Sequence, residues 1–513
     1  MEVDEKSDRP GSETSTPNEK HDFRDDTHIE DPEHVHNQSP LHDPALDAKL
    51  NRQFDLHILP WLFGMWLLAF IDRANIGNAK IDGLVEDLQL TGQKFNIALA
   101  IFYVPYICVD VPSNLVLKYF KAGHYLPFLL TAWGIVGTFM GFVKSYGGLL
   151  AARFFLGLAE GGLLGGIIVY LSMFYQRHEM LWRVGLFYCA APLSGAFGGL
   201  LASGLAQIST PGYDGWPFIF FIEGAITVLF GILAFFFLPH TPSDAKFLSA
   251  PDRAAAIARM HADSQSTSTA GTVDEEKFDW HWVKLALTDV NTMLLSLIFF
   301  LIITPIYSYS LFLPTIIRTF GYSIVVTQLF TVPPNMAGFF AVLIVCWLSD
   351  RYKVRGPFMI MGCVLTLIGY IMLIASDRSL VQYGGTFFVA AGIFPCSPLV
   401  MGWLSNNLAP HYVRATGTGF QIMIANCAAF IATFTYISTD APRYITGHAI
   451  NIGVVGAAIV AIAVLLVYNT AENKRRASGK RDHRLQEQSE GRLGSRHPRV
   501  SIESSGCERR GHC

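Results

Sequence analysis

Charged residues are scarce in this sequence: Asp, Glu, Lys and Arg make up 15% of its 513 residues, against about a quarter in soluble domains. So little charge excludes a fold bathed in water over most of its length. The arrangements of enzyme chemistry are missing too. There is no H-E-x-x-H, no nucleotide-binding glycine loop and no clustered set of His ligands, so no enzyme activity, cofactor or metal is expected. The eight cysteines form no C-x-x-C pair. Cys108, Cys189, Cys346, Cys363, Cys396 and Cys427 lie in apolar runs and Cys507 and Cys513 in the C-terminal tail, a pattern of small packing residues that excludes a disulfide framework and a zinc site. Residues 1–49 are a polar string of Asp, Glu, His, Ser and Pro without the apolar core of a signal peptide; they are expected to be disordered. The last four residues make no prenylation box. The basic stretch 474–510 is short and lacks an aromatic platform, so nucleic acid is not an expected partner.

What the chain has is apolar length. Half of it is hydrophobic (51%) and its mean hydropathy is positive, which makes the lipid bilayer its main solvent. A hydrocarbon core about 30 Å thick needs roughly twenty apolar helical residues. Twelve such runs are present, at 56–76, 97–118, 125–143, 146–174, 184–208, 218–238, 292–314, 327–348, 358–375, 383–404, 417–437 and 449–468. The fold expected is an all-α polytopic membrane protein with twelve transmembrane helices in two six-helix halves, a duplication common among transporters. Residues 1–53 would be a disordered cytosolic tail, 54–238 the first bundle, 239–283 a cytosolic linker with a Ser/Thr-rich centre, 284–470 the second bundle and 471–513 a disordered basic tail. Lys and Arg set the orientation. Lys118, Lys121, Arg177, Arg183, Arg351, Lys353, Arg355 and Arg414 fall in loops that are cytosolic if both termini are. The opposite loops hold chiefly Lys144, Arg318, Arg378 and Arg443. The N-x-S at Asn37 then lies in the cytosol, out of reach of glycosylation.

A charge in mid-bilayer costs at least about 2.5–3.5 kcal/mol, so each one that persists marks a functional site by default. The first run ends in F-I-D-R-A-N-I-G-N, which sets Asp72 beside Arg73 and places Asn75 and Asn78 further along. The fourth run carries Arg153 and Glu160 in A-R-F-F-L-G-L-A-E-G-G. Seven residues are two helical turns, so these two side chains share a face about 10 Å apart in depth. The glycines near them let helices approach closely or leave room beside a cavity. The plainer reading, interhelical ion pairs that only hold the bundle together, stays open; apolar packing does that work without the desolvation cost. A second cluster, Asp350, Arg351 and Arg355, surrounds a tight loop after the eighth run. It reads either as a charge network that opens and closes as helices rock, or as ordinary positive-inside topology.

The S-D-R-x-x-x-R at 349–355 resembles the cytoplasmic loop motif of the major facilitator superfamily. Four further stretches, D-R-x-N-I-G-N at 72–78, Y-x-x-x-x-V-P-S-N at 106–114, R-F-x-x-G-x-x-E-G at 153–161 and F-L-P-T-I-I at 312–317, together resemble its anion:cation symporter family, in particular the fungal allantoate and nicotinate permease branch. The likeness spans residues 50–470. One departure is the first-half loop L-K-Y-F-K-A-G-H-Y, which lacks the D-R of the second half. The resemblance implies the major facilitator fold and proton-coupled uptake of a small organic anion by alternating access, in a plasma membrane and as a monomer. It puts Arg73 on the substrate anion, proton coupling on Asp72 and Glu160, and Arg153 in a pair with these carboxylates.

Tyr103, Tyr106, Tyr307, Tyr309, Gln421 and Asn426 are further candidates to line a central cavity, and Asn75 joins Arg73 in the expected substrate site. Tyrosines near span ends serve equally as interface anchors. Two other functions remain compatible with this pattern: export of an acidic metabolite by proton antiport, and a nutrient sensor that keeps the fold without transport.

Overall fold

The computed structural model describes residues 44–116, 120, 122–175, 179, 183, 186–205, 207–210, 213–265, 280–408 and 411–481. An unpaired backbone group in lipid costs several kcal/mol, and helices satisfy every such group internally. In chain order the helices are α1 (Pro44–His57), α2 (Leu59–Ala79), α3 (Lys94–Val116), α4 (Ala122–Met140), α5 (Tyr146–Glu160), α6 (Leu163–Ser172), α7 (Ala190–Leu205), α8 (Trp216–Phe237), α9 (Ala250–Gln265), α10 (Trp280–Leu287), α11 (Val290–Arg318), α12 (Ile324–Phe330), α13 (Val332–Tyr352), α14 (Gly356–Ala375), α15 (Ser379–Ile393), α16 (Cys396–Asn407), α17 (His411–Thr433) and α18 (Ile445–Ala477). Strands Ser209–Thr210 and Tyr213–Asp214 pair antiparallel before α8.

Helix occupies each of the twelve predicted runs. Among the described residues nine helices are long and apolar enough to cross a bilayer, and ten if α1 and α2, which meet at 41°, form one span. Their outer faces present large apolar side chains such as Phe236, Ile344 and Val464 to the surroundings, the pattern of a protein whose solvent is lipid. Small residues set the close contacts inside each half. A Cβ on Gly362 of α14 would come 2.5 Å from the Gly392 carbonyl of α15, and one on Gly224 of α8 would come 2.5 Å from the Thr138 nitrogen of α4.

Two boundaries and the continuity of two runs differ from the sequence reading. The tail expected to be disordered through 53 is helical from Pro44, because Leu50 and Phe54 are buried. Phe54 packs edge-on against Phe174 and Tyr175, with centroids 5.5 and 5.6 Å away. The last span runs past 470 to Ala477, where buried Glu472 binds Arg481 at 2.6 Å. Two apolar runs that read as continuous are each broken. The fourth splits at Gly161–Gly162, where Gly162 has φ +87° beside the Ser113 side chain, a conformation that glycine adopts freely. The tenth splits ahead of Cys396, with Pro395 at the junction. Lys118, Lys121, Arg177, Asn37, Cys507, Cys513 and the linker from 266 to 279 lie outside the described residues.

The halves meet where α2 packs on α11, α3 on α17, and α7 on α12 and α13. Gly77 allows the first of these, since a Cβ there would strike the Leu311 carbonyl. At the end of the bundle remote from the termini, Asn96 of α3 donates to the carbonyls of Thr433 and Tyr436 at 2.5 and 3.2 Å. Lys80 lies over Phe95 of its own half and Phe312 of the other, at 4.7 and 5.1 Å. Toward the opposite end the Tyr188 hydroxyl meets the Met401 sulfur. Both ends of the junction are therefore bridged.

Candidate functional site

Arg73 stands at the centre of the junction. It is buried on α2, and its Nε donates to Glu160 Oε1 at 2.7 Å while Nη2 lies 2.5 Å from the same oxygen. Four rings surround the guanidinium, those of Tyr106, Phe70, Phe102 and Trp66, with centroids at 4.8, 5.5, 5.8 and 5.8 Å. Such contacts stabilise a desolvated cation by about 2 kcal/mol or more. Glu160 is the last residue of α5 and has no exposed surface. A carboxylate at a helix C-terminus faces the negative end of the helix dipole. Arg73 is thus the group that offsets its burial, and the break at Gly161–Gly162 is what leaves Glu160 at a helix end.

Two hollows share this arginine in their walls. One is lined by Arg73, Asn78, Tyr103, Ser194, Tyr307 and Asn335 among others, the second by Trp66, Arg73, Tyr106, Tyr307, Ser397 and Asn426. Each has room for a few water molecules. The Tyr307 hydroxyl donates to Asn426 Oδ1 at 3.2 Å, and the Tyr307 ring lies 5.6 Å from that of Tyr103, so these side chains bring the two halves together over the site.

Of the residues singled out from sequence, Arg73, Asn78, Tyr103, Tyr106, Tyr307 and Asn426 line these hollows, and Glu160 reaches them through Arg73. The rest lie elsewhere. Asn75 is fully buried with both side-chain atoms unpartnered and lines neither hollow. Gln421 turns away from them and donates to the Leu295 and Val400 carbonyls at 3.2 and 3.5 Å, tying α17 to α11 and α16. Tyr309 donates to the Thr386 carbonyl at 3.4 Å. Asp72 sits behind Arg73 and accepts from the Trp133 indole. Arg153, expected to pair with the carboxylates, instead donates to the Ala98 carbonyl at 3.3 Å and lies over Phe102 at 4.8 Å. Phe102 therefore stands against both guanidiniums, and of the two it is Arg73 that meets Glu160. In the second-half loop Arg355 lies 3.8 Å from Asp350 and against Gly402 of α16, and Arg351 lies over Trp347 at 5.7 Å.

The sequence reading passed over several ionisable side chains inside the bundle, among them Lys80, Glu223 and His448. Glu223 lies in the apolar run F-F-I-E-G-A, and the rule that selected Glu160, a charge inside a span, selects it equally.

Two helical halves joined over a buried, ring-enclosed guanidinium make a membrane transporter. The chain belongs to the Major Facilitator Superfamily, whose signature matches residues 62–433. An uncharacterized transporter of Schizosaccharomyces pombe is 37% identical over 85% of this chain and 86% of its own. The high-affinity nicotinic acid transporter of Saccharomyces cerevisiae is 30% identical over 86% of this chain and 81% of its own. The xylose–proton symporter XylE bound to 6-bromo-6-deoxy-D-glucose shares the fold, with a TM-score of 0.59 at 14% identity over 80% of this chain and 96% of that one. These relatives are transporters and not enzymes.

Proposed function

We propose that the protein takes up a small organic carboxylate, nicotinate or an acid of similar size and charge such as allantoate, together with protons by alternating access. It does so across the plasma membrane with both termini in the cytosol, as a symporter of the anion:cation type. The observation that carries this reading is Arg73, a guanidinium that lines both hollows and whose acidic partner among the described residues is Glu160. A substrate carboxylate can take that partner's place. The second hollow supports a planar acid: rings of Trp66, Tyr106 and Tyr307 lie near the guanidinium, and Ser397 and Asn426 offer polar atoms for the remainder of the molecule. The 30% identity to a nicotinic acid transporter supports the same choice.

Coupling follows from the pair. When an anion claims Arg73, Glu160 loses its counter-charge at the end of α5, and an uncompensated buried charge costs several kcal/mol. Taking up a proton removes that cost. Anion and proton therefore favour each other's binding, and linkage makes the help reciprocal. One proton with one monoanion moves no net charge; each further proton would gain about 2.3 kcal/mol per 100 mV. Asp72 and Arg153 shape the field behind the site, and the Asp350–Arg355 contact acts as a gate that yields as α13 moves.

The test is uptake of labelled nicotinate by a permease-deficient host. Accumulation should collapse with an uncoupler, and Arg73→Ala should lower it at least 100-fold at unchanged surface abundance. Normal affinity in that variant would remove the substrate site, and accumulation indifferent to the uncoupler would count against symport.

A further inference from the structure

Lys80 has no part in the exchange just described, yet it is a second cation on the helix that carries Arg73. Its backbone N–H bonds to the Ile76 carbonyl, so it continues the helical path of α2 by one residue. Seven residues separate it from Arg73, or two turns, so the two side chains share a face about 10 Å apart along the axis. The stretch between them belongs to the junction: Gly77 abuts the Leu311 carbonyl, and Ala74 and Asn78 line the first hollow. The lining of that hollow runs from Phe70 to Asn78 on α2 and from Tyr307 to Pro314 on α11, toward the end remote from the termini. Phe312, over whose ring Lys80 lies, stands within the α11 stretch.

Lys80 is partly exposed, and among the described residues its ammonium has neither a hydrogen bond nor an ion pair. It meets the rings of Phe95 on α3 and Phe312 on α11, at 4.7 and 5.1 Å, one from each half. The closure of this end lies beside it. Asn96, next to Phe95, donates to the Thr433 and Tyr436 carbonyls, and Phe312 packs on Tyr436 with centroids 5.2 Å apart. The acids that follow Lys80 are engaged elsewhere: Asp82 lies against Gly215, and Asp87 accepts from the Trp216 indole at 2.8 Å, both at the start of α8. Glu86 is exposed, where salt screens it. A ring attracts a cation without neutralising it, so the charge of Lys80 stays available to an anion.

We propose that Lys80 is a first anion-receiving site at the outer closure: an arriving carboxylate pairs with its ammonium, weakens its hold on Phe312, and passes down the first hollow to Arg73. The attraction of a ring for a cation depends on the cation's charge, so an ion pair loosens the bridge between the halves when a substrate is at hand. A positive site at the mouth of a cleft also raises encounter rates, by about 10- to 1,000-fold. Lys80 keeps its own protons throughout, and the proton that accompanies the anion still goes to Glu160. The inference rests on carboxylate uptake for its role in transport, but anion capture at Lys80 can be tested without any substrate.

The experiment labels purified full-length protein in lipid nanodiscs, with Ser310→Cys placed in the first hollow, and follows modification at that position by mass spectrometry. Two thiol reagents of similar size and opposite charge are compared, sulfonatoethyl methanethiosulfonate and its trimethylammonioethyl counterpart. Comparing the ratio of anionic to cationic rates between variants cancels the reagents' own reactivity. Lys80→Gln should lower that ratio about tenfold and Lys80→Arg should keep it. Salt at 1 M, where the Debye length is about 3 Å, should bring the protein with Lys80 down to the Gln ratio. A small neutral maleimide should label Lys80→Gln faster, because the bridge to Phe312 is gone. Equal ratios with Lys and Gln at position 80 would overturn the receiving site, even if the neutral reagent were faster, since Lys80 would then only latch the halves. A neutral rate unchanged in Lys80→Gln would overturn the loosening of the closure. In proton-driven uptake Lys80→Gln should raise KM for nicotinate about tenfold with kcat unchanged; a fall in kcat at unchanged KM would mark Lys80 as merely structural. If the wild type takes up no nicotinate, the substrate assignment fails while the labelling ratio still decides Lys80.

Discussion

Replacing Glu160 with Gln keeps the side chain's shape but removes the charge that Arg73 Nε meets at 2.7 Å. In the empty protein the guanidinium is then buried with no counter-ion, and breaking a buried pair from one side costs about 3–5 kcal/mol. A bound carboxylate restores the partner, and it no longer has to displace Glu160. The variant thus regains on binding much of what it lost at rest. With about 1.4–2.8 kcal/mol of that cost recovered, nicotinate affinity should rise about 10- to 100-fold. The pH dependence should change as well. In the wild type one proton enters with the anion, so affinity increases about tenfold for each unit of acidification over the range in which free Glu160 is ionised. In the variant the slope should vanish. Calorimetric titration of the purified protein with nicotinate at acidic and neutral pH measures both quantities. Binding that weakens in the variant, with the wild-type slope retained, would refute the exchange of Glu160 for substrate.

Asn96→Ala removes two hydrogen bonds that tie α3 to the end of α17 and the turn after it, at the end remote from the termini. At about 1 kcal/mol net for each bond, the population open at that end should rise about 30-fold. Labelling of a cysteine placed at Ser310, which lines the first hollow, by an impermeant maleimide should speed up accordingly; an unchanged rate would remove Asn96 from the gate. On the side of the termini, Lys49 donates to both oxygens of Asp252 at 2.8 Å and, with Ser249, holds that carboxyl below the usual range. A depressed carboxylate contributes at neutral pH and stops contributing as pH falls through its folded value. Acidification should therefore increase hydrogen exchange in α9, and Asp252→Asn should reach the same exchange at neutral pH with no further response to acid. An acid response that persists in the variant would assign it to another group.

The spans were legible because lipid imposes one rule on every residue of a crossing helix: a long apolar run can pair its backbone only with itself. Their breaks were not, since L-A-E-G-G-L-L is apolar on both sides of Gly161–Gly162 and only the tertiary fit against Ser113 decides that the helix stops there. Charge inside a span pointed to Arg73, Glu160, Asp72 and Arg153, all of which are buried. Which of them pair was hidden, because Arg153 and Glu160 share a helix face while Arg73 arrives from another helix 87 positions away in sequence. The polar candidates divided for the same reason. Asn426 and Gln421 lie on one helix, yet Asn426 meets Tyr307 at the hollow and Gln421 meets the Leu295 carbonyl. Polarity identified residues that require a partner, and only packing showed where each partner was.

The account's central claim, that a travelling anion replaces Glu160 on Arg73 and sends a proton with it, is tested most directly by measuring nicotinate and proton fluxes together. Purified protein in liposomes with a pH-sensitive dye inside should acidify the lumen by one proton for each nicotinate imported, at a rate indifferent to an imposed membrane potential, and Arg73→Lys should abolish both fluxes. Nicotinate entry without acidification, or with protons leaving as the anion enters, would contradict it.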